Sequence, residues 1–568
     1  MSWLYLIGSL MGAWLTYNMF YPVRTGTRRS FFGFFVGWLW GELALHAIAF
    51  MAVASFLFIW LGALDAWPGE LALLITIVSC VAVGRGYSRG AIAAPVVDKA
   101  LRDGLGADYE DAVDPDLRAN FEEGGVRWHP IVRPFPIRHP EVERIGDIPF
   151  HRERGVTLEL DVYRHRSMPQ NCPVLLQIHG GAWVIGDKKE QGLPLMNQLA
   201  SKGWVCVSAN YRLSPHATFP DHLIDVKRAV AWIRDKVGTY GGNPDFLVVT
   251  GGSAGGHLAS MVALTPGDAE YQPGFEQADT SVDACVPIYG VYDFTDRHGL
   301  HHHKGFAEIL EERIMKGSME EIPEAYSRAS PMDRIGADAP PFFVVHGELD
   351  SLVPVEEARQ FVAGLRETTD SPIVYAEIPG AQHAFELFPS LRTQFVIDGV
   401  ERFVTATYSR YLETRGDAGA KATALRPGAA AVVAGAALAS AASPPAVAAT
   451  ASPSGAATAV ATAKATKSAA ASDAGRVARP AGKAAATARP AQRKRSTKKA
   501  EPKKAESKKA ASKKADSKKS QAKSATTKKT TSKKTASKAA TKKATGKKAA
   551  ASKSTSTKKA TAKTSRSR

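Results

Sequence analysis

Ser253 lies at the centre of a Gly-Gly-Ser-Ala-Gly run, residues 251–255, and its hydroxyl could act as a nucleophile. The apolar stretch Phe246–Val249 precedes this run, and the helix-like stretch His257–Leu264 follows it. A strand that reverses into a helix within so few residues forces the serine into a strained backbone conformation and exposes its hydroxyl. The flanking glycines lack Cβ atoms, which lets strand and helix approach closely. A glycine-rich turn without chemistry is the alternative that the pattern alone leaves open.

Two residues further along the chain could activate this serine. A serine nucleophile requires a base, and the base requires a carboxylate that orients it; on a strand–turn–helix scaffold the chain order is Ser, Asp or Glu, His. Asp350 and His383 follow in that order, each just beyond a predicted strand. Asp333 and Asp338 are rival acids, and either partner taken alone has a purely structural explanation. The ordered set predicts Ser253 as nucleophile, His383 as base and Asp350 as the orienting acid.

A glycine-rich loop precedes the serine run and could stabilise charge that develops during the reaction. Attack on a carbonyl creates an oxyanion, and losing one N–H donor to it costs about 2.7–4 kcal/mol of transition-state stabilisation. The loop His179–Trp183 follows the predicted strand Val174–Ile178 and offers backbone N–H groups. Ala254, directly after the serine, offers another. An ordinary glycine turn is the alternative explanation of the loop.

Strand-like and helix-like stretches alternate across residues 146–412, which we treat as one catalytic domain. This alternation predicts an α/β fold, a mostly parallel sheet with helices on both faces. Reactive residues of such sheets gather at the carboxyl ends of the strands. The predicted strands are 156–163, 174–179, 205–209, 246–250, 284–288, 342–346 and 373–378, and the predicted helices are 219–237, 257–264 and 353–365. Residues 91–145 are expected to form a connector and part of a cap over the site.

Taken together, these motifs resemble the hormone-sensitive-lipase-like branch of the α/β-hydrolases, which includes bacterial carboxylesterases and feruloyl-esterase-like and kynurenine-formamidase-like enzymes. The resemblance covers about residues 150–410. It implies the α/β-hydrolase fold, the catalytic roles given above for Ser253, Asp350 and His383, and no metal or organic cofactor. The matching residues are His179-Gly180-Gly181-Ala182-Trp183, Asn210-Tyr211-Arg212-Leu213-Ser214-Pro215, Phe219-Pro220, Asp225, Gly241-Gly242-Asn243-Pro244, Gly251-Gly252-Ser253-Ala254-Gly255-Gly256, Asp350 and Gly380-Ala381-Gln382-His383.

The resemblance also implies that Gly181, Ala182 and Ala254 form the oxyanion hole. The chain departs from the family at Ala182, where the family has a third loop glycine. A backbone N–H survives this change, but the space beside it shrinks, which argues against bulky tertiary-alcohol esters as substrates.

The first 90 residues are strongly apolar and are expected to form about three transmembrane helices. The stretch Leu43–Leu64 has one titratable side chain, His46, and as a helix would span roughly 33 Å, enough for a bilayer core. Ser2–Tyr21 and the shorter Trp67–Val83 are the other candidates. A cleaved signal peptide fits poorly, because no positive charge precedes the first apolar run.

The charges between these stretches predict the orientation of the chain. Arg24, Arg28 and Arg29 follow the first stretch, and Arg85 and Arg89 follow the third. The positive-inside rule therefore places the basic segments and the catalytic domain in the cytoplasm, as part of a multi-pass cell-membrane protein.

Residues 413–568 form a segment rich in Ala, Lys, Ser and Thr, and we expect it to be disordered because it cannot bury a core. From Lys421 onward it carries 37 Lys and Arg against four acidic residues, whereas the preceding 420 residues carry 36 basic and 51 acidic ones. The segment resembles histone H1-like tails in composition. Anionic lipid, nucleic acid and acidic polymers are its candidate partners, and a merely solubilising tail is the alternative.

These observations predict a membrane-anchored serine hydrolase that cleaves a small or lipid-like carboxylic ester through an acyl-serine intermediate. One alternative is an amidase or arylformamidase, which would use the same scaffold to cleave an amide bond in place of an ester bond. Another is a membrane tether that binds nucleic acid through the basic tail.

Overall fold

The computed structural model describes residues 1–24, 27–121, 125–153, 155–301 and 304–415. Its α-helices, in chain order, are α1 Ser2–Phe20, α2 Thr27–Glu42, α3 Ala44–Trp60, α4 Trp67–Arg89, α5 Ala93–Leu105, α6 Pro115–Arg118, α7 Trp128–Val132, α8 Leu193–Ser201, α9 Asp221–Lys236, α10 Ala254–Leu264, α11 Lys304–Ile309, α12 Pro323–Ala329, α13 Val355–Thr368 and α14 Leu391–Thr414. Its strands are β1 Val142–Glu153, β2 Val156–His165, β3 Cys172–Ile178, β4 Val205–Ala209, β5 Gly242–Gly252, β6 Ala284–Ile288, β7 Phe342–Gly347 and β8 Ile373–Ile378.

The eight strands form one sheet in the order β1-β2-β4-β3-β5-β6-β7-β8. The pairs β1–β2 and β2–β4 are antiparallel, and the pairs from β4 through β3 to β8 are parallel. In the centre, Ile178 of β3 pairs with Gly251 of β5, which pairs with Pro287 of β6. This register brings the carboxyl ends of the three strands to one edge, where the predicted reactive residues follow.

Each face of the sheet has its own apolar core. Leu176 of β3 and Val249 of β5 belong to the cluster that includes α9 and α10, whereas Leu175 and Val248 belong to the cluster that includes α8 and α14. Alternate residues of a strand point to opposite faces, and both faces are covered, so these strands are continuous apolar runs. The predicted mostly parallel α/β sheet is confirmed.

Where the sequence predicts about three transmembrane helices, the described residues among the first 90 form the four helices α1 to α4. Arg28 and Arg29, predicted to lie in a basic loop, belong to α2, and α4 runs to Arg89, past the end at Val83 that the sequence predicts for the third span. By length and hydropathy, one helical run among the described residues could span a membrane: Trp67–Leu105, in which α5 follows α4 after a short turn. A second span would require counting Arg29–Glu42 and Ala44–Trp60, which meet at 90°, as one.

The segment predicted as a connector and cap contributes a helix to the outer layer of the domain. Helix α5 packs on β8 and α14 so closely that a Cβ on Gly104 would lie 2.8 Å from the Ile373 carbonyl oxygen. Strand β1 also begins at Val142, before the predicted domain boundary at 146. The predicted basic tail falls outside the described residues, apart from the last residues of α14 and Arg415.

Candidate active site

The predicted nucleophile occupies a sharp turn between β5 and α10. Ser253 has φ 57° and ψ −122°, a conformation that costs a non-glycine residue energy and therefore requires support from its surroundings. Its N–H donates to the Ile288 carbonyl at 3.0 Å. A Cβ on Gly255 would lie 2.2 Å from the Ile178 carbonyl oxygen, and one on Gly251 would lie 2.6 Å from the same atom. The two flanking glycines thus allow the close approach of helix and strands that the sequence predicts.

His383 and Asp350 meet in the loops that follow β8 and β7. The distance between His383 Nδ1 and Asp350 Oδ2 is 2.7 Å, and the other carboxylate oxygen accepts the N–H groups of Leu352 and Val353 at 2.8 and 2.9 Å. Burial alone would raise the pKa of Asp350, but the His383 charge and hydrogen bonds from His346 and His383 hold it well below its usual value. The carboxylate is therefore fixed and ionised.

The rival acid Asp333 does not contact His383. Its carboxylate pairs with Arg297 at 2.8 Å and accepts the Ser327 hydroxyl at 2.8 Å. These contacts make Asp333 part of a structural ion pair, so the choice of Asp350 as the partner of His383 agrees with the geometry.

Ser253 and His383 line one apolar cleft of about 60 Å³, together with Ala182 and Trp183 of the glycine-rich loop. Gly181 and Ala182 have φ values of 116° and 51°, and Ala254 is the buried first residue of α10. The structure therefore brings the predicted nucleophile, the predicted base and the loop to a common space. The remaining walls are apolar, from Val291, Phe306, Ile309, Leu352 and Val353, with Ser30 and Phe31 of α2 completing the cleft.

The glycine-rich loop is held from behind by the Asn-Tyr-Arg segment that the sequence singles out. The Tyr211 ring stacks on His179 with 4.4 Å between centroids, and its hydroxyl donates to the His179 carbonyl at 3.0 Å. Arg212 forms a two-point ion pair with the buried Asp225, at 2.7 and 2.8 Å. Bidentate pairs of this kind add geometric specificity as well as energy. Tyr211 thus holds the loop that carries Gly181 and Ala182, and the Arg212–Asp225 pair holds the segment that carries Tyr211.

Two residues that no sequence motif singles out, Tyr289 and Glu386, lie beside the predicted base. The Tyr289 ring lies 4.5 Å from the His383 ring between centroids, and its hydroxyl donates to the Glu386 carboxylate. Burial raises the pKa of Glu386 to about 7, against the opposing hydrogen bond from Tyr289. The sequence offers one signal for Glu386, its proximity to His383 in the chain. Its residue type offers none, because a glutamate in a loop is ordinarily exposed.

The variant Glu386→Gln is expected to remove a pH dependence of stability. Since the folded pKa of about 7 exceeds the ordinary value of 4.5, the folded state holds its proton more tightly than the unfolded state. As pH rises from 4.5 to 7, the free energy of unfolding of the wild type should fall by on the order of 3 kcal/mol from this group. Denaturant unfolding in detergent at pH 5 and pH 8 would measure this. An equal fall in the free energy of unfolding in the wild type and the variant would contradict the assignment of this pH dependence to Glu386.

Comparison with known proteins identifies the class of the chain. The BD-FAE family model matches residues 160–365. The chain is 46% identical over 316 residues to a protein described as probable carboxylic ester hydrolase LipM of Mycobacterium tuberculosis, covering 55% of this chain and 72% of that protein. It is 40% identical over 325 residues to esterase LipQ of the same organism, covering 56% of this chain and 76% of that protein.

Among solved structures, the chain aligns with the esterase Est2 of Thermogutta terrifontis at 24% identity and a TM-score of 0.40, covering 51% of this chain and 97% of that one. The two mycobacterial relatives each exceed 30% identity over more than two thirds of their length; one is described as a probable carboxylic ester hydrolase and the other as an esterase. This chain is therefore a hydrolase and belongs to the carboxylic ester hydrolases of the α/β-hydrolase family.

Proposed function

We propose that the protein is a membrane-anchored serine esterase that works through an acyl-serine intermediate, with Ser253 as nucleophile, His383 as base and Asp350 as its orienting acid. The observation that carries the proposal is one apolar cleft lined by both Ser253 and His383, with Asp350 Oδ2 2.7 Å from His383 Nδ1 behind it. A lone serine in a turn would not require a buried, ionised acid behind a histidine in the same cleft.

In the first half of the reaction, His383 Nε2 accepts the Ser253 proton as Oγ attacks the ester carbonyl carbon. The C–O bond to the alcohol then breaks, and the departing oxygen takes that proton from the imidazolium. Water repeats the sequence on the acyl-serine, releasing the acid and restoring the hydroxyl. Asp350 keeps the Nδ1 proton in place throughout, and the N–H groups of Gly181, Ala182 and Ala254 are the proposed donors to each oxyanion.

The N-terminal helices are proposed to anchor the enzyme with its catalytic domain on the cytoplasmic side. Arg24 donates to the Glu348 carbonyl at 3.3 Å, and a Cβ on Gly90, directly after Arg89, would lie 3.5 Å from the Arg392 backbone nitrogen. Both basic segments thus lie beside the hydrolase domain, as the positive-inside rule requires for that orientation. Resistance of the protein to carbonate extraction would support the anchor. Protease digestion of a C-terminal tag only after permeabilisation would support the cytoplasmic orientation, and digestion of the tag in intact cells would refute that orientation.

The basic tail is proposed to bind anionic lipid headgroups, the polyanion nearest to it in this orientation. The full-length protein and a variant ending at Arg415 would be compared for affinity to phosphatidylserine vesicles and to DNA over a salt series. Stronger vesicle binding by the full chain, weakening with salt, is expected. A preference for DNA would favour the nucleic-acid tether, and equal binding by both chains would leave the tail solubilising only.

A fluorophosphonate probe tests the covalent mechanism directly, because it reacts with activated serines. The wild type in membranes should be labelled and Ser253→Ala should not. Ser260→Ala serves as the control, since the Ser260 hydroxyl is buried and bonds to the Gly256 carbonyl within α10. Equal labelling of the wild type and Ser253→Ala would refute the assignment of the nucleophile.

A further inference from the structure

Helix α2 is attached to the loop that carries His383. The Trp38 indole N–H donates to the Ala384 carbonyl at 2.8 Å, and the Phe34 ring meets the His383 imidazole edge-on at 6.0 Å between centroids. At the end of α2, Glu42 pairs with Arg392 at 3.4 Å, and Arg392 donates to the Gly380 carbonyl at the start of the same loop. The helix therefore contacts the base-bearing loop along its length and forms part of the active site.

Ser30 on this helix is 1% exposed and lines the cleft that contains Ser253. Its hydroxyl has no hydrogen-bond partner among the residues that the structure describes. By contrast, Ser55 on α3 and Ser79 on α4 donate to the backbone carbonyls of Met51 and Ile75, one turn earlier, at 2.7 and 2.8 Å. An unsatisfied buried hydroxyl costs about 1–3 kcal/mol, so a group left unpaired at the wall of a binding cleft points to a partner on the ligand.

The outer surface of α2 indicates what kind of ligand reaches this cleft. Phe32, Phe35 and Leu39 are 60%, 52% and 45% exposed, while Phe34 and Trp38 on the opposite side are buried against the hydrolase domain. Such a helix, apolar on its free face and set at 90° to α3, suits the surface layer of a bilayer, where amphiphilic molecules concentrate. Phe31 lines the cleft and is also 41% exposed, so it connects the cleft with the free apolar surface of α2.

We propose that Ser30 is a substrate-binding residue and that the substrate is an amphiphilic ester: its acyl chain fills the apolar cleft, and a polar atom of its head group pairs with the Ser30 hydroxyl. This proposal rests on the esterase function proposed above. It makes α2 a specificity element of the enzyme in addition to its place in the anchor.

The test compares full-length Ser30→Ala with the wild type in detergent, using glycerol monobutyrate as the substrate with a polar head group. We expect KM to rise about 3- to 30-fold with kcat nearly unchanged, since the contact holds the ground state and the transition state alike. The melting temperature should stay equal or rise, because the variant loses an unsatisfied group. Ser55→Ala, in which a paired hydroxyl of a neighbouring helix is lost, is the matched control and should retain the wild-type KM.

Three outcomes would overturn the proposal: an unchanged KM, an equal rise in KM for Ser55→Ala, or a rise accompanied by a lower melting temperature. Fluorophosphonate labelling of the same preparations separates this result from the parent proposal. Labelled Ser253 with an unchanged KM removes only the role of Ser30. Unlabelled wild type removes the esterase mechanism itself.

Discussion

Replacing Ser253 with alanine is expected to lower kcat by on the order of 10⁵- to 10⁶-fold, which leaves the rate close to what binding and the oxyanion donors alone provide. The reason is that the proposed acyl-enzyme cannot form without the hydroxyl that shares a cleft with His383. Release of p-nitrophenol from p-nitrophenyl butyrate by the purified full-length protein would measure the loss.

Folding of this variant needs a separate measurement, because residue 253 lies in a strained backbone conformation, with φ 57° in the wild type. Alanine fits the same space, so the melting temperature should remain near that of the wild type. A variant that melts normally and retains more than a tenth of the wild-type kcat would exclude Ser253 as the nucleophile.

Asp350→Asn is expected to lower kcat by about 10⁴-fold while leaving the loops after β7 and β8 in place. An asparagine side chain can still accept the Leu352 and Val353 N–H groups, but its amide can donate toward His383, which then presents the wrong ring nitrogen to Ser253. The lowered pKa of Asp350 adds a pH expectation. Above about pH 4 the carboxylate is ionised, so this group should contribute no inflection to the wild-type activity profile between pH 5 and pH 9.

The matched control for this variant is Asp333→Asn, which changes the rival acid in the same way. Asp333 pairs with Arg297 away from the cleft, so kcat should change less than threefold. If Asp333→Asn caused the larger loss, the assignment of the orienting acid would be reversed.

The contacts of α2 change how the catalytic region should be isolated. A fragment that begins at residue 91 lacks Ser30, Phe34 and Trp38, and therefore lacks one wall of the cleft and the helix packed on the His383 loop. The hydrolase domain without its N-terminal helices is not the equivalent of the enzyme. Substrate preferences are best measured on the full chain.

Much of the central fold could be predicted from periodicity. The strands Val205–Ala209, Ala284–Ile288 and Ile373–Ile378 have the predicted bounds, because buried parallel strands are short apolar runs ended by turn residues. Strand β1 was missed, since it lies at the edge of the sheet and carries charged residues. Helix α14 was also missed, because its buried face includes polar residues such as Thr393 and Gln394 that obscure the helical pattern.

For the candidate site, strand patterns and chain order are enough to predict that Ser253, Asp350 and His383 each lie just beyond the carboxyl end of a strand. Chain order is enough there because a parallel sheet brings the carboxyl ends of its strands to one edge. The tertiary structure alone decided the neighbours that come from outside the sheet. These neighbours are Tyr289 and Glu386, beside the predicted base, and Ser30 on α2. Each lies 36 or more residues from Ser253 in the chain, and no periodicity of the sequence relates it to the site. Such contacts depend on how helices and loops pack over the sheet, which is a property of side-chain shape in three dimensions rather than of spacing along the chain.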